Sequence, residues 1–232
     1  MNSAPITSSH SCPKCGAQME HCDRITYLSD CPECGYSTVF SGDLEAYKSG
    51  NGETDEVLQR CIGYGIPREY LAYTAETAEL IEAIENGQNV WISGDVGTGK
   101  SVLAANVGRD LIARGYRVRW ISAAQAIQDE RAAITNGAPS RWQTYCTVPI
   151  LILDDVGKAN ATDYTASLLF TLAEARTSNG LPTIATSNYT GGKLIERLTN
   201  KGDTATAQAI VSRLVGGAHV VHMGGKDRRL TA

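Results

Sequence analysis

Gly94-Asp95-Val96-Gly97-Thr98-Gly99-Lys100-Ser101 is the stretch that decides how this chain folds. It satisfies the phosphate-binding pattern GxxxxGK[ST] at every fixed position, and its flanks are those the pattern needs. Asn89-Val90-Trp91-Ile92-Ser93 before it is apolar enough for a buried strand. Residues 101–113 after it place Leu103, Val107, Leu111 and Ile112 at helical spacing. The glycines let the backbone turn so that its N–H groups and the helix N-terminus face a polyphosphate. Lys100 is expected on the β/γ-phosphates and the Ser101 hydroxyl on Mg²⁺. The eight residues from Gly94 to Ser101 therefore predict a nucleotide site.

A second element completes that site. Val148-Pro149-Ile150-Leu151-Ile152-Leu153 is almost continuously apolar, as a strand covered on both faces of a parallel sheet must be, and it ends in Asp154-Asp155. Ligands of open α/β sheets bind at this carboxyl edge. Asp154 is expected to hold Mg²⁺, directly or through water, and Asp155 to orient or deprotonate an attacking water. Residues 181–186 read as a further buried strand ending in Ser187-Asn188. Asn188 is placed either to reach the γ-phosphate or to cap the next turn. Strands are also expected at 116–122 and 219–223, and helices at 74–87, 123–135, 162–176 and 205–214. The order is that of a three-layer α/β ATPase core.

Ahead of the core, Cys12-Pro-Lys-Cys15-Gly and Cys31-Pro-Glu-Cys34-Gly stand fifteen residues apart. Paired CxxC knuckles at this separation fit a zinc site. Cys12, Cys15, Cys31 and Cys34 would form a closed four-thiolate structural centre with no vacancy for a substrate. Cys22, His10 and His21 are then bystanders. A segment of about forty residues is too small for an independent core, so Zn²⁺ is expected to hold it folded. Between Met1 and Phe40 the bases Lys14 and Arg24 face Glu20, Asp23, Asp30 and Glu33. That balance favours a protein partner over phosphate tracking. The expected organisation is a zinc-binding module over 1–40, a polar linker over 41–60 and an ATPase domain over 61–232.

Composition bounds the rest. The chain has 232 residues, 42% of them hydrophobic, and a net charge of −4. That charge argues against a general polyanion binder. Residues 42–90 carry ten acids and three bases, whereas residues 192–232 carry seven bases and three acids. Nucleic acid would thus meet local patches rather than the whole surface. No run of about eighteen apolar residues exists, and the N-terminus lacks the pattern of a signal peptide, so a cytoplasmic location away from membranes is expected.

The ordered set Gly65-Ile66-Pro67-Arg68, the phosphate loop, Leu151-Ile-Leu-Asp-Asp-Val-Gly157, Leu181-Pro-Thr-Ile-Ala-Thr-Ser-Asn188, Val211-Ser-Arg-Leu214 and Arg228-Arg229-Leu230 resembles DnaC-type replicative helicase loaders. It is similar also to the related IstB-type transposition helper ATPases, which share an AAA+ core. The resemblance spans roughly residues 63–230. It implies that Asn188 is a sensor-1 residue, that Arg213 is an arginine finger serving a neighbouring subunit's nucleotide, and that Arg229 is a sensor-2-like contact to ATP. Asp155 departs from the family's usual glutamate, a change expected to slow hydrolysis. Implied with these are an ATPase acting as a homo-oligomer, a replicative DNA helicase as partner and single-stranded DNA as ligand. The expected function is ATP-dependent helicase loading. The alternatives are a transposition helper acting on target DNA and a non-hydrolysing adaptor.

Overall fold

The computed structural model describes residues 53–199, 203–225 and 227, together with the backbone of four short N-terminal strands. These strands form two antiparallel hairpins: β1 (Ser8–Ser11) with β2 (Gln18–His21), and β3 (Tyr27–Asp30) with β4 (Ser37–Phe40). In chain order, Cys12 and Cys15 fall between β1 and β2, and Cys31 and Cys34 between β3 and β4. All four cysteines lie outside the described residues, as do Cys22 and Arg229.

The core is a five-stranded parallel sheet of β5 (Val90–Gly94), β6 (Val118–Ser122), β7 (Ile150–Asp154), β8 (Thr183–Ser187) and β9 (His219–Met223). The spatial order is β6-β7-β8-β5-β9. Period-two alternation divides its side chains between two faces. Val90, Ile92, Val118, Trp120, Ile150, Ile152 and Ile184 pack on one side against α1 (Glu53–Gly63), α2 (Ala78–Glu85) and α3 (Lys100–Ala113). Trp91, Leu151, Leu153 and Ala185 point to the other side. There they meet α4 (Ala123–Asn136), α5 (Trp142–Thr147), α6 (Asp163–Ser178), α7 (Gly191–Leu198) and α8 (Thr204–Val215). This is the expected three-layer α/β arrangement. Among the described residues no helix is long and apolar enough to cross a membrane.

Local boundaries depart from the sequence reading in three places. Helix α1 occupies part of the stretch read as linker, and its Val57 and Cys61 are buried in the core. Its polar opening Glu53-Thr54-Asp55 hides an apolar pair four residues apart, too sparse a stripe to stand out. Helix α2 begins at Ala78, four residues after the expected start at 74. Thr77 precedes it instead and donates its hydroxyl to Asp110 Oδ2 at 2.6 Å, so a tertiary contact takes the group that a local cap would have used. Helix α7 has no counterpart in the expected element order. Only Leu194 and Leu198 are buried along it, one apolar pair at i, i+4.

Candidate nucleotide site

The sheet order brings the separated motifs together. The strand order doubles back around β5, because β6 lies three places away from it, and the cleft such a reversal opens sits at the carboxyl edge of the strands. The phosphate loop leaves β5 at this edge and feeds α3, with Gly99 in the left-handed conformation just before Lys100. Thr98 Oγ1 donates to Asp95 O at 2.8 Å and closes the turn. The buried Lys100 ammonium donates to Gly94 O at 3.0 Å and Asp95 O at 2.6 Å, which holds it across the mouth of the loop.

One turn along, Ser101 Oγ donates to Asp154 Oδ1 at 2.8 Å. The same oxygen accepts from Thr186 Oγ1 at 2.6 Å. Thr186 is fully buried on β8, the strand between those that carry the phosphate loop and Asp154. Its hydroxyl also accepts from the backbone N–H of Asp155 at 2.9 Å, and its carbonyl accepts from Val156 N at 2.8 Å. Thr186 thus fixes the Asp154 carboxylate and the Asp155 backbone relative to the loop. Asp155 turns out of the sheet with φ of 57°, a conformation uncommon outside glycine but tolerated by aspartate. Its Oδ2 meets Lys158 Nζ at 2.9 Å in a largely exposed pair.

Burial pushes the Asp154 carboxyl up from its ordinary value; the Thr186 and Ser101 hydroxyls oppose the shift and the Asp155 charge adds to it. A buried carboxylate raised in this way is short of positive charge. Ser101 Oγ and Asp154 supply the hard oxygen ligands that Mg²⁺ accepts, and Mg²⁺ ordinarily completes its shell with water and phosphate oxygens. The residues present therefore fit both a nucleotide polyphosphate and its magnesium ion.

Tyr70, on the 3₁₀ turn Arg68–Ala72, closes the site from a third side. Its hydroxyl lies near the Ser101 side chain, and its ring packs 5.8 Å from that of Trp120. Burial first, then the charges of Asp154, Glu69 and Asp155, push its phenol up. Sequence reasoning missed both Tyr70 and Thr186. For Tyr70 the available signal was its place two residues after Gly65-Ile-Pro-Arg68. For Thr186 it was an alcohol directly before Ser187-Asn188 on an otherwise apolar strand.

Asn188 is exposed just beyond the end of β8, at the site's edge. Arg213 is elsewhere. It sits in the last turn of α8, and its carbonyl accepts from Asn89 Nδ2 at 2.8 Å, at the opposite end of β5 from the phosphate loop. Its guanidinium pairs with Glu174, donates to Ala209 O at 3.0 Å and lies 4.9 Å from the Phe170 ring centroid. Arg213 therefore does not join the phosphate loop of its own chain. A cavity of about 350 Å³ between α4 and α5, bordered by Asp129, Glu130, Arg141 and Trp142, includes none of the residues discussed above.

The profile of the IstB-like ATP-binding proteins matches residues 73–232. The chain belongs to this family. A relative, the putative ATP-binding protein of an insertion sequence from Geobacillus stearothermophilus, is 30% identical over 148 residues, 63% of this chain and 57% of the relative. The chain thus spans less than two-thirds of that relative's length. Among solved structures, AMPPCP-bound DnaA from Aquifex aeolicus is similar with a TM-score of 0.55 and 26% identity, over 68% of this chain and 51% of DnaA. The DnaC helicase loader has the same fold at a TM-score of 0.55 and 19% identity, over 71% of this chain and 99% of the loader. The IstB-like core is accordingly an AAA+-like P-loop domain.

Proposed function

We propose that this chain is a Mg²⁺-dependent ATPase whose nucleotide state controls a DNA-processing partner protein. One observation carries the reading: Ser101 and Asp154 meet at 2.8 Å beside the phosphate loop, with the Lys100 ammonium at the loop's mouth. Gly94 to Ser101 would wrap the phosphates. Lys100 would move from the loop carbonyls to the β/γ-phosphates, and Ser101 and Asp154 would hold Mg²⁺. Bound there, the ion supplies charge neutralisation for phosphoryl transfer. Asp155 would orient the attacking water, once its exposed pair with Lys158 yields, and Asn188 would contact the γ-phosphate side. Arg229 remains a sensor-2-like candidate on resemblance alone.

Arg213 is the candidate arginine finger for a neighbouring subunit. Its distance from its own phosphate loop suits that role, because such a residue serves another chain's nucleotide. Hydrolysis would then depend on a homo-oligomer. The four-cysteine segment, with its CxxC pairs between the strands of two hairpins, would bind Zn²⁺ and dock the partner.

Two clients fit this core. The family match and the insertion-sequence relative support a transposition helper acting on target DNA. The paired cysteines, which lie outside the matched residues, support a module that grips a replicative helicase and loads it onto single-stranded DNA. Affinity capture of purified helicase and of purified transposase by the full chain separates the clients. Turnover of ATP, stimulated by DNA and lost in Asp155→Asn, tests the enzyme. Undiminished function of Asp155→Asn would instead identify a non-hydrolysing adaptor. Mixed assemblies containing Arg213→Ala should lose turnover out of proportion to the variant's share.

A further inference from the structure

Strand β9 leaves the sheet beside the phosphate loop. The two strands approach tightly at Gly94, where a Cβ would stand 1.9 Å from Met223 O. Beyond Met223 the chain turns back, and the Asp227 carboxylate lies against the middle of the loop. A Cβ on Gly97 would fall 1.9 Å from Asp227 Oδ1, 2.0 Å from its Cγ and 2.5 Å from its Oδ2. The carboxylate fits there only because residue 97 has no side chain, and the positive φ of 77° at Gly97 belongs to the turn itself.

Chemistry makes this placement meaningful. The loop and the N-terminus of α3 form a concentration of backbone N–H groups with partial positive charge, which attracts anions of any origin. A carboxylate is the side-chain group that imitates a phosphate oxygen pair. Asp227 is two residues past Gly224-Gly225, and a Cβ at either glycine would meet nothing within 4 Å.

We propose that Asp227 is an internal stand-in for phosphate, seated on the phosphate loop until an incoming nucleotide displaces it. The proposal rests on the nucleotide reading above. A polyphosphate carries more charge than one carboxylate and makes the Lys100 and Mg²⁺ contacts as well, so it wins the site. Asp227 lowers the apparent affinity by the fraction of molecules in which it covers the loop.

The test is equilibrium binding of a fluorescent, non-hydrolysable ATP analogue to the full chain, with inorganic triphosphate as a competitor. Asp227→Asn keeps the shape and removes the charge, and Asp227→Ala removes both. Each should bind the analogue and the triphosphate roughly two- to fivefold more tightly than the parent, the range expected for one anion at a helix N-terminus. Unchanged or weaker binding by both variants overturns the proposal, and weaker binding would make Asp227 a ligand of the nucleotide. The nucleotide reading fails in a different way, with no saturable binding by the parent or by either variant.

Discussion

The two ends of the central sheet use polar groups in opposite ways. At the amino end, Arg176 is almost wholly buried and its guanidinium is fully engaged. It donates to Tyr145 O at 2.9 Å, Val148 O at 2.8 Å, Pro182 O at 2.6 Å and Thr183 Oγ1 at 2.8 Å. Asn89 does the same on a smaller scale, accepting from Thr183 N and donating to Arg213 O, both at 2.8 Å. At the carboxyl end, Asp154 is buried with hydroxyls for partners, Lys100 rests on loop carbonyls, and Asp155 holds a positive φ. Polar groups at the first end have found permanent partners. Those at the second have neutral or exposed partners, which a cation and a polyphosphate would replace in the proposed function. Burial alone does not mark a site; buried charge whose partners an incoming ligand can replace does.

The sharpest way to break the comparison is at Arg176. Its burial brings the guanidinium pKa down to about 10, so it stays charged at neutral pH. Arg176→Ala leaves several carbonyls without donors and should destabilise the fold by about 3–5 kcal/mol in denaturant melts, a large part of a typical domain's stability. Arg176→Lys should recover little, because an ammonium cannot reproduce the planar fork. A loss below about 1 kcal/mol would show that the amino end is not the fixed end.

A change of opposite sign is expected at Asp154. Folding raises the pKa of this acid, so the folded state holds its proton more tightly than the unfolded chain. Its contribution is therefore most favourable below the ordinary carboxylate value of 3.8 and is lost as pH rises through the elevated folded value. Asp154→Asn should raise the melting temperature of the nucleotide-free protein at pH 7, with less gain near pH 4, while abolishing Mg²⁺-dependent turnover. Equal or lower stability at pH 7 would contradict the assignment. The smallest effect belongs to Lys158→Ala, which removes an exposed ion pair and should change stability by no more than about 0.5 kcal/mol.

The same contrast explains what the sequence disclosed. The phosphate loop is legible because phosphate geometry dictates glycines, a lysine and a hydroxyl within eight consecutive residues. Strand β7 is legible because burial on both faces leaves it almost no polar residue before Asp154. Thr186 and Arg176 are not, since Thr186 depends wholly and Arg176 in part on partners about thirty residues away that only the fold brings near. Helix α1 escaped notice because tertiary packing, rather than a periodic apolar stripe, holds it. The four cysteines that suggest zinc lie outside the described residues, so that expectation remains a proposal.

In the proposed function Lys100, Ser101 and Asp154 together form a site for a nucleotide with magnesium. Calorimetric titration of ATP into the full chain, with Mg²⁺ present and then chelated, tests it most directly. The parent should bind with Mg²⁺ and much more weakly without it, and Lys100→Ala should lose about a hundredfold in affinity while melting at nearly the parent's temperature. Equal ATP affinity in the parent and Lys100→Ala, or binding indifferent to Mg²⁺, would contradict the account.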